Sequence, residues 1–481
     1  MFPHRHQTRL LPFIVAATII ASAILCAQAY TWPNPLLDEL ESQIYDREGY
    51  HVRGLPIGLT PCNRFFFGAN KGRTNAADWL RTAYHDMATH NIRDGSGGLD
   101  ASIRFFEEQQ RPEASDGFRN TLTVITQFSN RYYSLSDNIA LAAVTSIEMC
   151  GGPKIPFRGG RLDAAAPNKP GVPEPQGSLK AHIDSFARQG FTQEEMIGLV
   201  ACGHTLGGVQ HSTFPEIAPP STAPDNTDGN ARFDSQFDQF DNKVVTEYLS
   251  GKTQNVLVVG KNQTTNSDLR IFSSDRNRTM QSLASPKAFR TTCSKLIAKM
   301  IDTVPKGVKL AETVDFLRVK PYALELTYMD DGSLQLTGEV RFWDMPINPR
   351  RKISILWRDR GGKSARQYIS TLTFNRTHVS KPLVPDLPGI QNLWYTIEPI
   401  KLDAKKSISE FWFEIDEGRG KPRVENQNGK GFFISDDVVV ANSTCLSPDA
   451  FDFPVTVAVS SFPSNSKPPS TESNDFHTDP V

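Results

Sequence analysis

The chain has 481 residues, more than one ordinary hydrophobic core organises, so its length predicts two domains with appendages. Hydrophobic residues make up 38% and charged residues 22%, values typical of a globular protein. The formal net charge of −1 gives no electrostatic reason to expect a nucleic acid or an anionic membrane as a partner.

The N-terminus carries the pattern of an export signal. Basic and polar residues precede an apolar run over residues 10–26, which ends in Ala27-Gln28-Ala29, the small-x-small pattern of a signal-peptidase site. The run is slightly short for a membrane span, which disfavours the alternative of an uncleaved anchor. We therefore expect a signal peptide over residues 1–29, and a mature protein that is secreted and free of the membrane.

Cysteines and sequons agree with export. Five cysteines follow the predicted signal: Cys62, Cys150, Cys202, Cys293 and Cys445. The sequence has no CxxC pair and no Cys/His cluster with zinc spacing, so disulfides are favoured over metal ligation. Because the number is odd, one thiol is left over, and Cys202, among small apolar residues, is expected to be free and buried. N-x-Thr sequons predict glycosylation at Asn262, Asn277, Asn375 and Asn442.

From residue 30 to 304 the spacing of apolar residues is mainly helical, which predicts an α-helical domain. Three segments are typical of helix starts: Asn75 with Asp78, Ser136, and Thr192 with Glu195. A last helix is predicted over residues 288–300.

From about residue 305 the apolar period changes to two. Apolar residues alternate along residues 324–328 and 334–342, on either side of Asp331-Gly332, which is a strong hairpin pattern. Short strands at this spacing predict an all-β, sandwich-like domain over residues 305–457. Residues 458–481 are rich in Ser and Pro, which predicts a disordered tail.

Arg81 and His85 stand four residues apart on a predicted helix, which puts both on one face within reach of one small ligand. Cleavage of a peroxide O–O bond needs such a pair. A group with a pKa near neutrality moves the proton between the two oxygens, and a fixed cation stabilises the developing charge. Taken alone, the spacing is also common on solvated helix faces.

His204 ends an apolar helix and is flanked by Gly203 and by Gly207-Gly208. A histidine in that setting suits an iron ligand with room for a flat macrocycle beside it. Taken alone, a core histidine with satisfied hydrogen bonds is the commoner interpretation.

Together these segments resemble the plant-, fungal- and bacterial-type haem peroxidase superfamily. Residues 81–86 are similar to its distal helix motif, R-x-x-aromatic-H-D, and residues 203–207 to its proximal motif, G-H-T-L-G. Further similarities follow in the family's order, at residues 98–103, 160–164, 240–243 and 267–274. The resemblance covers roughly residues 60 to 300 and implies two helical lobes on either side of a haem.

The resemblance implies haem b, with His204 as the axial iron ligand through Nε2 and Asp268 as the acceptor of its Nδ1–H. It also implies that His85 acts as general base and then acid on hydrogen peroxide, with Arg81 stabilising the departing oxygen. Tyr84 occupies the distal aromatic position beside the haem, and Phe233 occupies the proximal one.

Calcium is the next implication of the resemblance, because oxygen donors recur at the family's positions. The distal site would use oxygen atoms of Asp86, Gly98, Asp100 and Ser102. The proximal site would use Thr205, Asp234 and Asp241. Gln236 stands where the family usually carries Thr, which makes the proximal site the weaker expectation. Judged without the family, Asp100 and Ser102 suit a capping turn equally well.

Departures from the family's sequence pattern disfavour several types of electron donor. Where a distal Asn orients the catalytic His, this chain has Glu113-Ala114-Ser115. Phe233 replaces the radical-forming Trp of the cytochrome c and ascorbate types, and Leu199 stands at the radical Trp of lignin peroxidases. Thr74 and Gln210 replace two of the three carboxylates that bind manganese. We therefore expect small phenol-like donors, oxidised in one-electron steps at the haem edge.

The alternative function is a non-enzymatic cell-wall or glycan-binding protein on a peroxidase fold, which the presence of both Arg81 and His85 disfavours. A zinc site on His85 and His90 is disfavoured because no third ligand lies at a sensible spacing. Tryptophans of the β domain would offer a polysaccharide surface if exposed, although core packing is their commoner role: Trp343, Trp357, Trp394 and Trp412.

The family layout also implies a disulfide between Cys62 and Cys150. A second one, between Cys293 and Cys445, would tie the β domain back to the helical domain.

Overall fold

A computed structural model describes residues 30–371, 378–385, 387–444 and 455–459. The predicted signal peptide, Asn375, Cys445 and residues 460–481 of the predicted tail lie outside the described residues. None of the helices in these ranges is both long and apolar enough to cross a membrane.

Helices make up most of the first part of the chain. They are α1 (Pro35–Tyr45), α2 (Gly54–Ile57), α3 (Asn75–Met87), α4 (Phe106–Gln109), α5 (Asp116–Ile125), α6 (Leu135–Met149), α7 (Leu179–Gln189), α8 (Gln193–Gly203), α9 (Lys243–Ser250), α10 (Val256–Val259), α11 (Ser267–Ser273), α12 (Arg278–Ser282) and α13 (Pro286–Ile301). Their apolar faces form one hydrophobic core, within which α3 packs on α5 and α6, and α8 packs on α13.

Helix starts follow local hydrogen bonds as well as sequence pattern. The capping box predicted at Thr192 is present at the start of α8. The predicted cap Asn75 is wrong: Thr74 caps α3, because the Asn75 amide donates instead to a loop carbonyl at 2.8 Å. At α6 the cap is Ser134 rather than Ser136, whose hydroxyl donates to a neighbouring carboxylate at 2.8 Å.

Strands dominate after residue 318. The strands are β1 (Glu48–Gly49), β2 (Gly208–Gln210), β3 (Asn230–Arg232), β4 (Val319–Tyr328), β5 (Leu334–Phe342), β6 (Lys352–Arg358), β7 (Ser364–Thr371), β8 (Val379–Lys381), β9 (Asn392–Leu402), β10 (Glu410–Asp416), β11 (Arg423–Glu425), β12 (Phe432–Phe433), β13 (Val438–Ala441) and β14 (Val457–Val459). β14 extends two residues into the range predicted as tail.

Within the described residues, β1 and β4–β14 form one 12-stranded sheet, with the main order β11-β10-β6-β7-β9-β5-β4-β13-β14. The predicted hairpin is β4–β5, and its turn places Gly332 at φ +77°, a conformation that favours glycine. The apolar faces of the two halves of the sheet pack together, with the rings of Phe342 and Phe413 5.7 Å apart. This arrangement confirms the predicted fold class, a helical part followed by a sandwich-like β part.

A buried ionic cluster joins the two parts. Glu41 on α1 accepts from Lys320 of β4 at 2.6 Å and from Arg341 of β5. Arg341 also donates to Asp46 at 2.9 Å. These side chains are at most 2% exposed. Nearby, β1 pairs with β8 and so adds a segment of the helical part to the sheet.

Two disulfides are present among the described residues. Cys62 pairs with Cys150, as predicted. Cys202, predicted to be free, pairs with Cys293, so the predicted pairing of Cys293 with Cys445 is wrong. The reason is tertiary: α8 and α13 pack together and bring the two Cα atoms to 5.5 Å, a distance typical of a disulfide.

The four tryptophans of the β part do not form an exposed strip. Trp394 is 1% exposed and Trp357 is 9% exposed. Trp343 is half-buried, with its ring stacked on Phe316 at 4.1 Å. Trp412 is half-buried under the guanidinium of Arg358. Their role is packing, so they give no support to a polysaccharide surface.

Candidate active site

A deep cleft lies between the helices of the first part of the chain. The cleft has a volume of about 1510 Å³ when the open solvent at its mouth is included. Its walls carry residues of α3 and α8, together with Phe233 and the start of α11. The sequence-predicted residues Arg81, Tyr84, His85 and His204 all line this cleft.

Arg81 lies on the α3 wall, one turn before His85. Its guanidinium donates to Ser115 Oγ at 2.9 Å and to the carbonyl of Glu113 at 2.5 Å, so its direction is fixed. Burial lowers the pKa of Arg81 to about 10, and the side chain therefore stays charged at neutral pH. The cleft thus holds a fixed cation at the position that the sequence predicted.

His85 is only 7% exposed and faces the same cleft. Burial, with the cations Arg81 and Arg111 as further causes, holds the pKa of its imidazole well below the ordinary value. No hydrogen-bond partner of either ring nitrogen occurs within the part of the chain that the structure describes. His85 is therefore a neutral base at pH 7 and free to accept a proton.

His204 caps the end of α8 on the other wall of the cleft. Its Nδ1 lies 2.8 Å from Asp268 Oδ2, so Nε2 is the nitrogen that faces the cleft. The same carboxylate oxygen accepts from Asn255 Nδ2 at 2.7 Å, which fixes the carboxylate in turn. The ring of Phe233 stacks on the imidazole at 4.1 Å. These contacts hold the imidazole in one orientation, with Nε2 directed into the cleft.

Tyr84 packs on the distal wall with its ring 6.0 Å from that of Phe186. Its hydroxyl is buried, and burial raises its pKa. The ring therefore fills the predicted aromatic position, and its phenol remains protonated.

The predicted distal calcium residues lie in one buried region, with Asp86 near the end of α3 and Gly98, Asp100 and Ser102 in the segment that follows this helix. Asp86 accepts from the backbone N–H groups of Ala101 at 2.7 Å and Ile103 at 2.9 Å. Asp100 and Ser102 both accept from the Asn168 amide, at 2.8 and 3.0 Å. Burial and the neighbouring carboxylate of Asp100 raise the pKa of Asp86. Gly98 opens the loop at φ +125°.

The predicted proximal calcium residues also lie together. The Thr205 hydroxyl donates to the carbonyl of Asp241 at 2.6 Å. Asp234 accepts from the backbone of Gln236 through Oδ1, while Oδ2 is buried without a partner among the described residues. Burial raises the pKa of Asp234 to about 7, with Asp241 and Glu247 as further causes. A buried carboxylate oxygen without a partner suits a cation bound by oxygen atoms.

Within the described ranges, no three or more His, Cys, Asp or Glu side chains lie close enough together to hold a metal ion among themselves. The calcium expectation therefore rests on mixed donors, in which hydroxyl and carbonyl oxygens accompany two carboxylates. His90, the second histidine of the zinc alternative, contacts the carbonyl of Gly97 at 3.0 Å and does not line the cleft.

The manganese-type position at the cleft is occupied by an ion pair. Asp78 is bound by Arg73 at 2.9 Å, and Arg73 also binds Asp116 at 2.7 Å. Thr74 is committed to capping α3. Leu199, at the radical-Trp position, is 4% exposed.

Three residues make contacts in the site that the sequence does not predict. Asn255 precedes α10 and is recognisable as a helix cap, but its second bond, to Asp268, joins separate elements. Ser115 is recognisable as the cap of α5, whereas its bond to Arg81 depends on the packing of α5 on α3. Phe118 contacts both distal residues, and no sequence signal distinguishes it from an ordinary core aromatic residue.

An Arg/His wall facing a His–Asp pair across a deep helical cleft is the arrangement of the haem peroxidase class. The family model Peroxidase matches residues 66–285. A WSC domain-containing protein of Arthroderma benhamiae is 40% identical over 354 residues, 72% of this chain and 48% of that protein. L-ascorbate peroxidase 5, peroxisomal, of Arabidopsis thaliana is 30% identical over 187 residues, 38% of this chain and 62% of that protein.

L-ascorbate peroxidase 2, cytosolic, of Arabidopsis thaliana is 28% identical over 201 residues, 41% of this chain and 73% of that protein. The match of residues 66–285 to the Peroxidase family model, together with the similarity to the two L-ascorbate peroxidases, supports the resemblance to the plant-, fungal- and bacterial-type haem peroxidase superfamily. The chain spans about half the length of the Arthroderma benhamiae protein.

Proposed function

We propose that the protein is a secreted haem peroxidase that reduces hydrogen peroxide and oxidises small phenol-like donors in one-electron steps. The observation that carries the proposal is the placement of Arg81 and His85 opposite the His204–Asp268 pair in one cleft. The non-enzymatic alternative gives no reason for a buried cation and a neutral base to meet there.

Haem b, held through His204 Nε2, would supply the iron redox chemistry that accepts oxidising equivalents from peroxide and passes them to the donor. Asp268 accepts the Nδ1–H of His204 and would so increase the electron donation of the ring to a bound iron. Asn255 holds the Asp268 carboxylate in the required direction. Phe233, which stacks on the His204 imidazole, and Tyr84 would supply apolar contacts for the macrocycle.

On the distal side, His85 would take a proton from one oxygen of hydrogen peroxide and return it to the other oxygen, which leaves as water. Its lowered pKa keeps the imidazole neutral, as the first of these steps requires. Arg81 stabilises the charge that develops on the departing oxygen. Its bonds to Ser115 and the Glu113 carbonyl hold the guanidinium in place before the reaction begins.

The proposed donors are small phenols or related neutral molecules. Asp78 is already paired with Arg73, which removes this carboxylate from a manganese site. Leu199 and Phe233 supply no oxidisable indole at the positions used by other family types. The donor would therefore transfer its electrons directly at the cleft.

We also propose calcium at the distal and proximal loops. The unpartnered Oδ2 of Asp234 supports the proximal site. The buried carboxylates of Asp86 and Asp100 support the distal site, since the cation would offset their mutual repulsion. Since Asp86 directly follows His85, a distal calcium would stabilise the end of α3 that carries the base.

Secretion rests on the predicted signal peptide and is compatible with two disulfides, which form and persist in oxidising compartments. Two of the sequons, at Asn262 and Asn442, are exposed and so accessible to glycosylation.

Absorption spectroscopy of the haem-loaded protein tests the proposal. Addition of one equivalent of hydrogen peroxide should change the ferric absorption spectrum. A phenol such as guaiacol should then restore the ferric spectrum in two one-electron steps. A ferric spectrum that peroxide does not alter would refute the enzyme proposal. A His204→Ala variant that binds haem with an unchanged spectrum would refute the ligand assignment.

A further inference from the structure

One aromatic ring contacts both distal residues. Phe118 lies on α5, is 1% exposed, and packs behind the cleft wall. Its ring centroid lies 4.8 Å from that of His85, and the Arg81 guanidinium carbon lies 4.8 Å from the same centroid. The base and the cation of α3 are therefore held against a single side chain of a neighbouring helix.

His85 has no other support of comparable geometry. Arg81 makes two hydrogen bonds, whereas neither ring nitrogen of His85 has a hydrogen-bond partner among the residues described. An imidazole without such a bond rotates about its side-chain torsions unless packing prevents it. A general base acts efficiently only when its nitrogen stays within hydrogen-bond reach of the proton that it takes.

The position of Phe118 is itself fixed by close contacts between α5 and α3. A Cβ atom on the preceding Gly117 would lie 3.0 Å from Asp78 Oδ1, so the two helices approach closely at this point. The Thr82 and Thr121 hydroxyls bond across the same interface at 3.0 Å. The ring is thus presented to α3 by a rigid contact.

We propose that Phe118 is the positioning residue of the distal pair: its ring sets the orientation of His85 and the separation of His85 from Arg81. The attraction between the guanidinium and the ring face holds one residue, and ring packing holds the other. This inference rests on the proposed function, since it assigns to Phe118 a role in the reaction with peroxide.

Two substitutions separate this role from simple core packing. Phe118→Leu keeps an apolar side chain but removes the ring, and Phe118→Tyr keeps the ring. Phe289→Leu is the matched control, because Phe289 is 0% exposed, packs on Phe240, and does not line the cleft. Each haem-loaded variant is compared with the unaltered protein for its urea midpoint and for its second-order rate constant with peroxide from pH 4 to 8.

Phe118→Leu should lower that rate constant by about 10- to 100-fold, the loss typical of a misplaced catalytic group. The midpoint of the acidic limb should rise, because a freed imidazole becomes better hydrated. Phe118→Tyr should stay within about threefold of the unaltered protein, since the ring remains. Phe289→Leu should lower the urea midpoint like Phe118→Leu while leaving the rate constant within about twofold.

A Phe118→Leu protein with an unchanged rate constant and pH profile would overturn the positioning role and leave the proposed function intact. If the unaltered protein fails to react with peroxide, the proposed function fails, and the inference fails with it.

Discussion

The Nδ1 atom of His204 lies 2.8 Å from Oδ2 of Asp268, and this carboxylate oxygen also accepts a bond from Asn255. Such an arrangement makes the imidazole a stronger electron donor toward a metal bound at Nε2. An iron held at Nε2 should therefore respond to substitution of either Asp268 or Asn255.

Asp268→Asn should raise the reduction potential of the bound iron, because an amide accepts the Nδ1–H more weakly and the ring becomes a poorer donor. Peroxidase activity should fall about 10- to 100-fold. Spectroelectrochemical titration measures the potential. Asn255→Ala should shift the potential in the same direction by a smaller amount, since the carboxylate of Asp268 remains. Equal potentials in the two variants and the unaltered protein would contradict the role of Asp268 in tuning the iron.

The reaction with peroxide should tolerate acid. His85 works as a neutral base, so the rate is lost as the pH falls through its folded-state pKa, and burial holds that pKa well below its ordinary value of about 6.5. The second-order rate constant should therefore be flat from pH 8 to below pH 6. A stopped-flow profile with its midpoint at or above pH 6.5 would show that His85 is not the base, or not buried in solution.

Calcium removal should destabilise the protein. Stripping with EGTA should lower the melting temperature by roughly 5 °C, because an ion at 100 times its Kd stabilises by about 2.7 kcal/mol. Asp234→Asn should reduce the effect. The matched control is Asp225→Asn, which alters an exposed carboxylate paired with Arg232. Elemental analysis that finds no calcium, together with a melting temperature unaffected by EGTA, would exclude both sites.

Removal of Arg341 should destabilise the contact between the helical and β parts. Arg341→Met leaves the buried carboxylates of Glu41 and Asp46 short of a partner, at a cost of about 3 kcal/mol. Arg358→Met is the control, because its pair with Glu410 is partly exposed to solvent and contributes about 1 kcal/mol or less. Urea unfolding followed by fluorescence compares the two variants. Equal midpoints would show that the buried ionic cluster contributes no more to stability than the pair of Arg358 with Glu410.

Local sequence patterns predict the main polar residues that line the cleft. Arg81 and His85 were predictable because helix periodicity alone puts both on one face, and His204 because glycines mark the helix end that exposes it. The partners of these residues were not predictable, since Asn255, Ser115 and Phe118 reach the site from elements that only the tertiary packing brings together.

The same limit explains the error in disulfide pairing. Cys202 lies among small apolar residues, which indicates burial, but its pairing depends on the packing of α8 on α13. The observed caps, Thr74 and Ser134, precede the predicted ones by one and two residues for a related reason. Asn75 and Ser136, the predicted caps, make other hydrogen bonds that the sequence does not reveal.

We propose above that hydrogen peroxide is split in this cleft with His85 as the base. The most direct measurement is the second-order rate constant of the haem-loaded protein with peroxide, compared with His85→Leu and with the control His90→Leu, a histidine outside the cleft. We expect a loss of about 10²- to 10⁴-fold for His85→Leu and little change for His90→Leu. A His85→Leu protein that reacts as fast as the unaltered one would contradict this proposal.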